Sequence, residues 1–257
     1  MTAIPGNDAG SASAGRTHAA LVTGGTGGMG RVIAGRLAAD GFDVAIAHAG
    51  QKQAADAAVA EIQGHARHGA AFDADIANET AVTDLFDAVE DSFGQLDVVV
   101  NTAGINQPAA VVDLDLSDFD AIHRVNVRGT FIIDQQAARR LRRGGAIVNV
   151  SSSMVLAAPP GLSAYAASKS AVDVLTRILA KELRGHDITV NAVAPGPTAT
   201  PAFLAGTPAE EQKELAALPP LERLGSPQDI ASVVSFLAGP SGRWVNGQVV
   251  YANGGFV

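Results

Sequence analysis

From Ala19 onward the chain alternates short apolar runs with longer segments of helical period, and no other feature restricts its fold as strongly. The runs are AALVT (19–23), DVAIAH (43–48), AAFDAD (70–75), LDVVVN (96–101), AIVNVS (146–151), ITVNAVA (188–194) and QVVYANGG (248–255). Apolar runs of this length fit strands buried on both faces, as in a parallel sheet. The segments between them read as helices: in NETAVTDLFDAVEDSFG, Asn78 is placed to cap the start and Gly94 to close the end. Regular alternation with right-handed crossovers predicts an α/β fold, a doubly wound parallel sheet of about seven strands with helices on both faces. No Pro/Gly-rich linker or internal repeat interrupts it, so residues 18–257 are expected to form a single domain. Residues 1–17 lack the basic start and apolar stretch of a signal peptide and read as a flexible tail.

The first run leads directly into TGGTGGMG (23–30) and then into a helical segment. Glycines there permit a tight turn and let backbone amides and a helix N-terminus approach a pyrophosphate, which reads as a Rossmann-type dinucleotide site. Gly24, Thr26, Gly28, Met29 and Gly30 are its candidate contacts. At the end of the second strand such domains usually carry Asp or Glu for the adenosine ribose, but here stands His48, with Lys52 shortly after it. Without that carboxylate a 2′-phosphate is not repelled and either residue could attract it, so NADP(H) is favoured and NAD(H) is the alternative. Asp75 and Ile76, read as the end of the third strand, would face the adenine. Asn101, Ala103 and Gly104 of NTAG end the fourth, where a glycine admits the cofactor closely. Open parallel sheets bind ligands at such carboxyl ends of strands.

A second constellation lies in SAYAASKSAV (163–172). On a helix, residues four apart share a face, so Tyr165 and Lys169 would meet. A tyrosine ordinarily titrates near ~10, and a neighbouring ammonium with an oxidised nicotinamide would lower that value and suit it to proton exchange at neutral pH. Ser152, read at the end of the fifth strand, joins them.

Taken jointly, these motifs resemble those of the short-chain dehydrogenase/reductase family, its 3-oxoacyl reductase-like members included, over essentially all of residues 19–257. The matching residues are TGGTGGMG, NTAG, Asn126 of RVNVRGTF, Ser152, YAASK, and Pro195 with Gly196; Thr102, for the usual second asparagine of NTAG, is the one departure. The resemblance implies that Tyr165 is the general acid in carbonyl reduction and the base in reverse. Ser152 would then bind the substrate oxygen, and Lys169 would bind the nicotinamide ribose and depress the tyrosine pKa. Asn126 would hold a water linking Lys169 to solvent. Of the consecutive serines, Ser152 stands thirteen residues before Tyr165, as in the family, with Ser153 the alternative and a candidate substrate contact. Thr198 and Thr200 would grip the nicotinamide amide beside Pro195 and Gly196, within a small lid at 197–218. Met154, Phe203 and Leu204 are candidate walls of an apolar substrate pocket. A homotetramer is implied, with a dimer as the alternative.

Other features narrow the function. A net charge of -8 argues against a nucleic-acid binder, and the basic run RRLRR (139–143) reads as a solvated helix end. No window holds the roughly twenty apolar residues of a membrane span. The absence of cysteine excludes disulfides, thiolate metal sites and a cysteine nucleophile, and suits a cytoplasmic protein. His65 and His68 in HARH lack a third ligand, so no metal is expected, and there is no G-x-S-x-G elbow of a serine hydrolase. The expected function is an NADP(H)-dependent oxidoreductase interconverting a ketone and a secondary alcohol, of carbonyl or 3-oxoacyl reductase type. An NAD-dependent alcohol dehydrogenase and a non-catalytic dinucleotide-binding regulator are the alternatives.

Overall fold

The computed structural model describes residues 17–257; the tail expected over 1–17 lies, but for Thr17, outside the described residues. The strands β1 (His18–Thr23), β2 (Phe42–His48), β3 (Gly69–Asp73), β4 (Val98–Asn101), β5 (Ala146–Val150), β6 (Thr189–Pro195) and β7 (Val249–Ala252) form one parallel sheet in the order β3-β2-β1-β4-β5-β6-β7. The helices are α1 (Gly28–Ala39), α2 (Lys52–Gly64), α3 (Glu79–Phe93), α4 (Leu116–His123), α5 (Thr130–Arg140), α6 (Met154–Ala157), α7 (Ser163–Glu182), α8 (Pro201–Gly206), α9 (Ala209–Ala217) and α10 (Pro227–Ala238).

Two cores sandwich the sheet because successive strand residues point to opposite faces. In β1, Leu21 joins the core built by Val82, Phe86 and Val89 of α3, Ile133 of α5 and Leu179 of α7. Its neighbours Ala20 and Val22 join Ile33 and Leu37 of α1, Ile62 of α2 and Ile230 and Val234 of α10. Strands buried on both faces have no polar side to show, which is why their sequence runs stay apolar. The strand order reverses between β1 and β4, and this switch point opens a crevice at the carboxyl ends of those strands.

Asn78 accepts a hydrogen bond from the Ala81 amide at 3.1 Å, and Gly94 ends α3 with φ of 73°. Several expectations are corrected. β3 stops at Asp73, so Asp75 and Ile76 lie in the loop beyond it. The short α6 separates β5 from the helix of Tyr165, and Ser152 lies two residues past the strand end. The arginine run is not freely solvated: Arg140 ion-pairs with Asp87 and Glu90, Arg142 pairs with Asp97 at 3.1 Å, and Arg143 donates to the Gly185 carbonyl. Between α4 and α5 the chain stays helical but widens into a π-helical segment, Arg124–Gly129, which carries Asn126.

Candidate active site

Two cavities meet over the switch point. The first, about 460 Å³, is lined by Gly24, Thr26 and Gly27 after β1, His48 at the end of β2, Asp75 and Ile76 beyond β3, and Ala103 and Gly104 after β4. The second, about 640 Å³, is lined by Met29, Ser152, Met154, Tyr165, Lys169, Pro195, Gly196, Thr198, Thr200 and Phe203. Thr102, Gly104 and Ile105 line both, so the two form one crevice.

The glycine loop is compact for a steric reason. Gly24 has φ of +65°, and a Cβ on Gly30 would lie 2.2 Å from its carbonyl oxygen. The N-cap of α1 is Gly27, with no capping side chain, so the first amides of that helix face the crevice unclaimed by a cap. The hydroxyl of Thr102 donates to the Thr23 carbonyl at 2.6 Å and packs against this loop, so the departure from the family pattern supports the turn.

At the end of β2, His48 is buried, its Nδ1 without a hydrogen-bond partner among the described residues and 3.8 Å from Asp73 Oδ1. Lys52, the other cation considered there, is bound to Asp56 at 3.0 Å and does not line the cavity. Asp75 accepts from the Ala77 amide at 2.9 Å and pairs with Arg124. Burial works against its charge, but the Arg124 hydrogen bond and that amide outweigh it and hold the carboxyl below its ordinary range. Asn101 lines neither cavity: it accepts from Thr23 Oγ1 at 2.5 Å and donates to Thr130 Oγ1 at 2.9 Å, tying β1, β4 and α5 together.

At the reacting centre the three consecutive serines separate. The Ser151 hydroxyl lies 3.4 Å from the Lys169 carbonyl. Ser153 is fully buried, donating to the Ala194 carbonyl at 3.1 Å and accepting from Asn253 at 3.2 Å, so it is no substrate contact. Ser151 and Ser152 both line the cavity, and it is Ser152 whose hydroxyl meets the Tyr165 phenol, accepting meanwhile from the Met154 amide at 3.2 Å. Burial raises the Tyr165 pKa above its ordinary value and the hydrogen bond with Ser152 lowers it, with burial the larger effect. Lys169 Nζ lies 5.9 Å from the phenol ring centroid and donates to the Val150 carbonyl at 2.8 Å. Burial brings Lys169 itself down to about 8 against the opposing pull of Asp173.

The π-helical segment turns Asn126 inward. Its amide grips Ile105 from both sides, accepting from N at 2.8 Å and donating to O at 2.9 Å, and donates to Ser168 Oγ at 3.0 Å. Ile105 thus becomes a fixed wall shared by both cavities, a role the sequence reading missed. The lid region 197–218 folds as α8 and α9 over the second cavity. Thr198 donates to the Gly196 carbonyl at 2.8 Å, and Thr200 caps α8 by accepting from the Phe203 amide at 3.2 Å. Phe203 and Met154 line the cavity, whereas Leu204 does not and is exposed. Also missed was Glu211, which reaches the cavity from α9 with Leu215 one turn further along that helix and Thr207 in the bend before it. The four-residue spacing of Glu211 and Leu215 was the available signal.

A family profile described as enoyl-(acyl carrier protein) reductase matches residues 24–257. A short-chain type dehydrogenase/reductase of Picea abies is 42% identical over 248 residues, spanning 93% of this chain and 92% of the relative. An NADPH-dependent aldehyde reductase-like chloroplastic protein of Arabidopsis thaliana is 39% identical over 252 residues, spanning 93% of both. A crystal structure of a short chain dehydrogenase from Burkholderia cenocepacia J2315 in complex with NADP matches with a TM-score of 0.88 and 42% identity, over 93% of this chain and 97% of that one. The chain belongs to the short-chain dehydrogenase/reductase family. It is an NAD(P)-dependent oxidoreductase acting on CH–OH groups. Among the described residues no helix is long and apolar enough to cross a membrane, and no cluster of His, Asp or Glu could hold a metal ion.

Proposed function

We propose that the chain is an NADP(H)-dependent carbonyl reductase that interconverts a small ketone and a secondary alcohol, working as a homotetramer in the cytoplasm. The observation that carries this reading is that Ser152, Tyr165 and Lys169 meet on one wall of a cavity continuous with the dinucleotide crevice. The crevice suits such a cofactor: α1 offers uncapped amides behind a close-packed glycine turn, and Thr198 and Thr200 border the far end. The nicotinamide, when bound, supplies a hydride to the carbonyl carbon.

The chain's own residues manage the oxygen. Ser152 and Tyr165 donate to the substrate carbonyl from one side, which orients it and accumulates positive field where negative charge develops. The Tyr165 phenol, kept protonated by burial, then gives its proton to the forming alkoxide. The Lys169 ammonium has spent one donor on Val150 and retains others for the cofactor ribose. Asn126, by fixing Ile105, holds the floor on which both ligands would lie.

NADP is favoured over NAD because His48, a buried imidazole with an unpartnered nitrogen, stands where NAD-binding domains carry a carboxylate. The NADP complex of the Burkholderia protein supports the same choice. Among the described residues the Glu211 side chain has no hydrogen-bond or ion-pair partner, and a carboxylate over the cavity disfavours substrates with an anionic group near the carbonyl. This supports neutral ketones ahead of acidic ones, with 3-oxoacyl thioesters as the neighbouring subclass. Initial rates with NADPH and NADH on a panel of ketones, β-keto esters and diketones test the reading. NADPH should be preferred, and His48→Asp should move the kcat/KM ratio toward NADH by roughly tenfold or more. An unmoved ratio would remove His48 from the adenosine ribose.

A further inference from the structure

Lys169 is 3% exposed and Asp173, one turn further along α7, is 4% exposed. A buried ammonium costs several kcal/mol unless charge or hydrogen bonding compensates it. The hydrogen bond Lys169 makes within the chain goes to a neutral acceptor, the Val150 carbonyl, so its charge must be balanced from further off. Asp173 is the charged group whose field raises the affinity of Lys169 for its proton. Around the Asp173 carboxyl stand Lys169 and Arg177 on α7, the Ser151 hydroxyl after β5 and the Tyr251 phenol of β7. Its Oδ1 is buried without a hydrogen-bond partner. Packing alone does not favour such a group, since an apolar residue of similar volume would avoid the desolvation cost.

We propose that Asp173 is a positioning residue that keeps the Lys169 ammonium charged, and that Lys169, Asp173 and Arg177 form a charge ladder running along one stripe of α7 from the reacting centre to the surface. The four-residue spacing places the three groups on one face, from buried Lys169 and Asp173 to exposed Arg177. Without Asp173 the burial of Lys169 acts unopposed, and the side chain loses its charge, and with it a hydrogen-bond donor, close to neutral pH. The consequence for turnover rests on the catalytic reading above; the titration of Lys169 does not.

The chain has four lysines, Lys52, Lys169, Lys181 and Lys213, so its lysine ε-carbon signals can be followed individually by 13C NMR in selectively labelled protein. The Lys169 signal is identified by its disappearance in Lys169→Arg. In Asp173→Asn the Lys169 midpoint should move to lower pH by at least roughly half a unit, while the three other lysines stay in place. Asp173→Glu should return it most of the way. Should Asp173→Asn fail to fold, Asp173→Leu, which suits the apolar surroundings, serves for the same readout. An unmoved Lys169 midpoint in either folded variant overturns the proposal. A moved midpoint in a protein that reduces none of the carbonyl panel would uphold the ladder and sink the reductase reading instead.

Discussion

Tyr165 enters the reacting centre with burial opposing its ionisation and the Ser152 hydrogen bond assisting it, and burial wins. A phenol that stays protonated across neutral pH is ready to donate to a carbonyl oxygen, whereas alcohol oxidation must wait for it to lose its proton. Ketone reduction should therefore vary little between about pH 6 and 8, while alcohol oxidation climbs by up to about tenfold per pH unit over the same range. Initial rates in both directions across that range check this; coincident optima would contradict it. At this scale the sequence was informative wherever spacing decides geometry. Tyr165 and Lys169 share a helix face, and Ser152 is set by its distance from Tyr165. It was silent where neighbouring groups compete within a turn. Ser152 and Ser153 are chemically identical, and only the fold turns one hydroxyl into the cavity and the other toward Ala194 and Asn253. Asn101 was read as a cofactor contact because it ends a strand, yet its amide is consumed by Thr23 and Thr130.

Among the elements, the lid is the one most exposed to a small change. The start of α8 sits directly on the glycine loop: a Cβ at Gly28 would lie 2.8 Å from Pro201 Cδ and 3.0 Å from Thr200 Cβ. Gly28→Ala should push α8 outward and weaken NADPH binding by roughly tenfold, about 1.4 kcal/mol. Helix α1 itself should be unharmed, since alanine favours helix. Nicotinamide fluorescence titration checks the prediction, and an unchanged Kd would mean that α8 yields freely. The strands were legible because burial on both faces demands unbroken apolar runs, and α3 because it carries a cap at each end. The π-helical segment was not, because a local widening leaves the helical period on either side intact. The end of β3 was misplaced by two residues because apolar and acidic residues continue past it into the loop that holds Asp75 and Ile76.

At the scale of the whole molecule, one buried acid contributes to how stability follows pH. Asp134 of α5 is 1% exposed, accepts from Asn149 Nδ2 at 3.0 Å, and has a pKa that burial pushes up to about 7. Two buried acceptors there, Asp134 Oδ1 and Asn149 Oδ1, lack donors. Since the folded pKa lies above the unfolded one, the folded chain holds this proton more tightly. That contribution is complete below about pH 4 and is lost as pH rises through about 7. Asp134→Asn keeps an acceptor for Asn149 Nδ2 and adds an uncharged donor, so its gain in unfolding free energy over the unmodified chain should be larger at pH 8 than at pH 5, by an amount of order a few kcal/mol. Calorimetry at both pH values decides it, and an equal gain at both would show that Asp134 stays charged inside the fold.

The proposed reduction depends on one proton donor in one continuous crevice. The most direct measurement pairs NADPH binding with single-turnover reduction of a substrate drawn from the ketone panel, in the unmodified chain and in Tyr165→Phe. The variant keeps the ring and its packing and loses only the hydroxyl. Reduction should fall by at least roughly a thousandfold, while NADPH affinity stays within about threefold. Reduction that persists at a comparable rate in Tyr165→Phe would contradict the assignment of the phenol as the acid, and with it the proposed chemistry of the site.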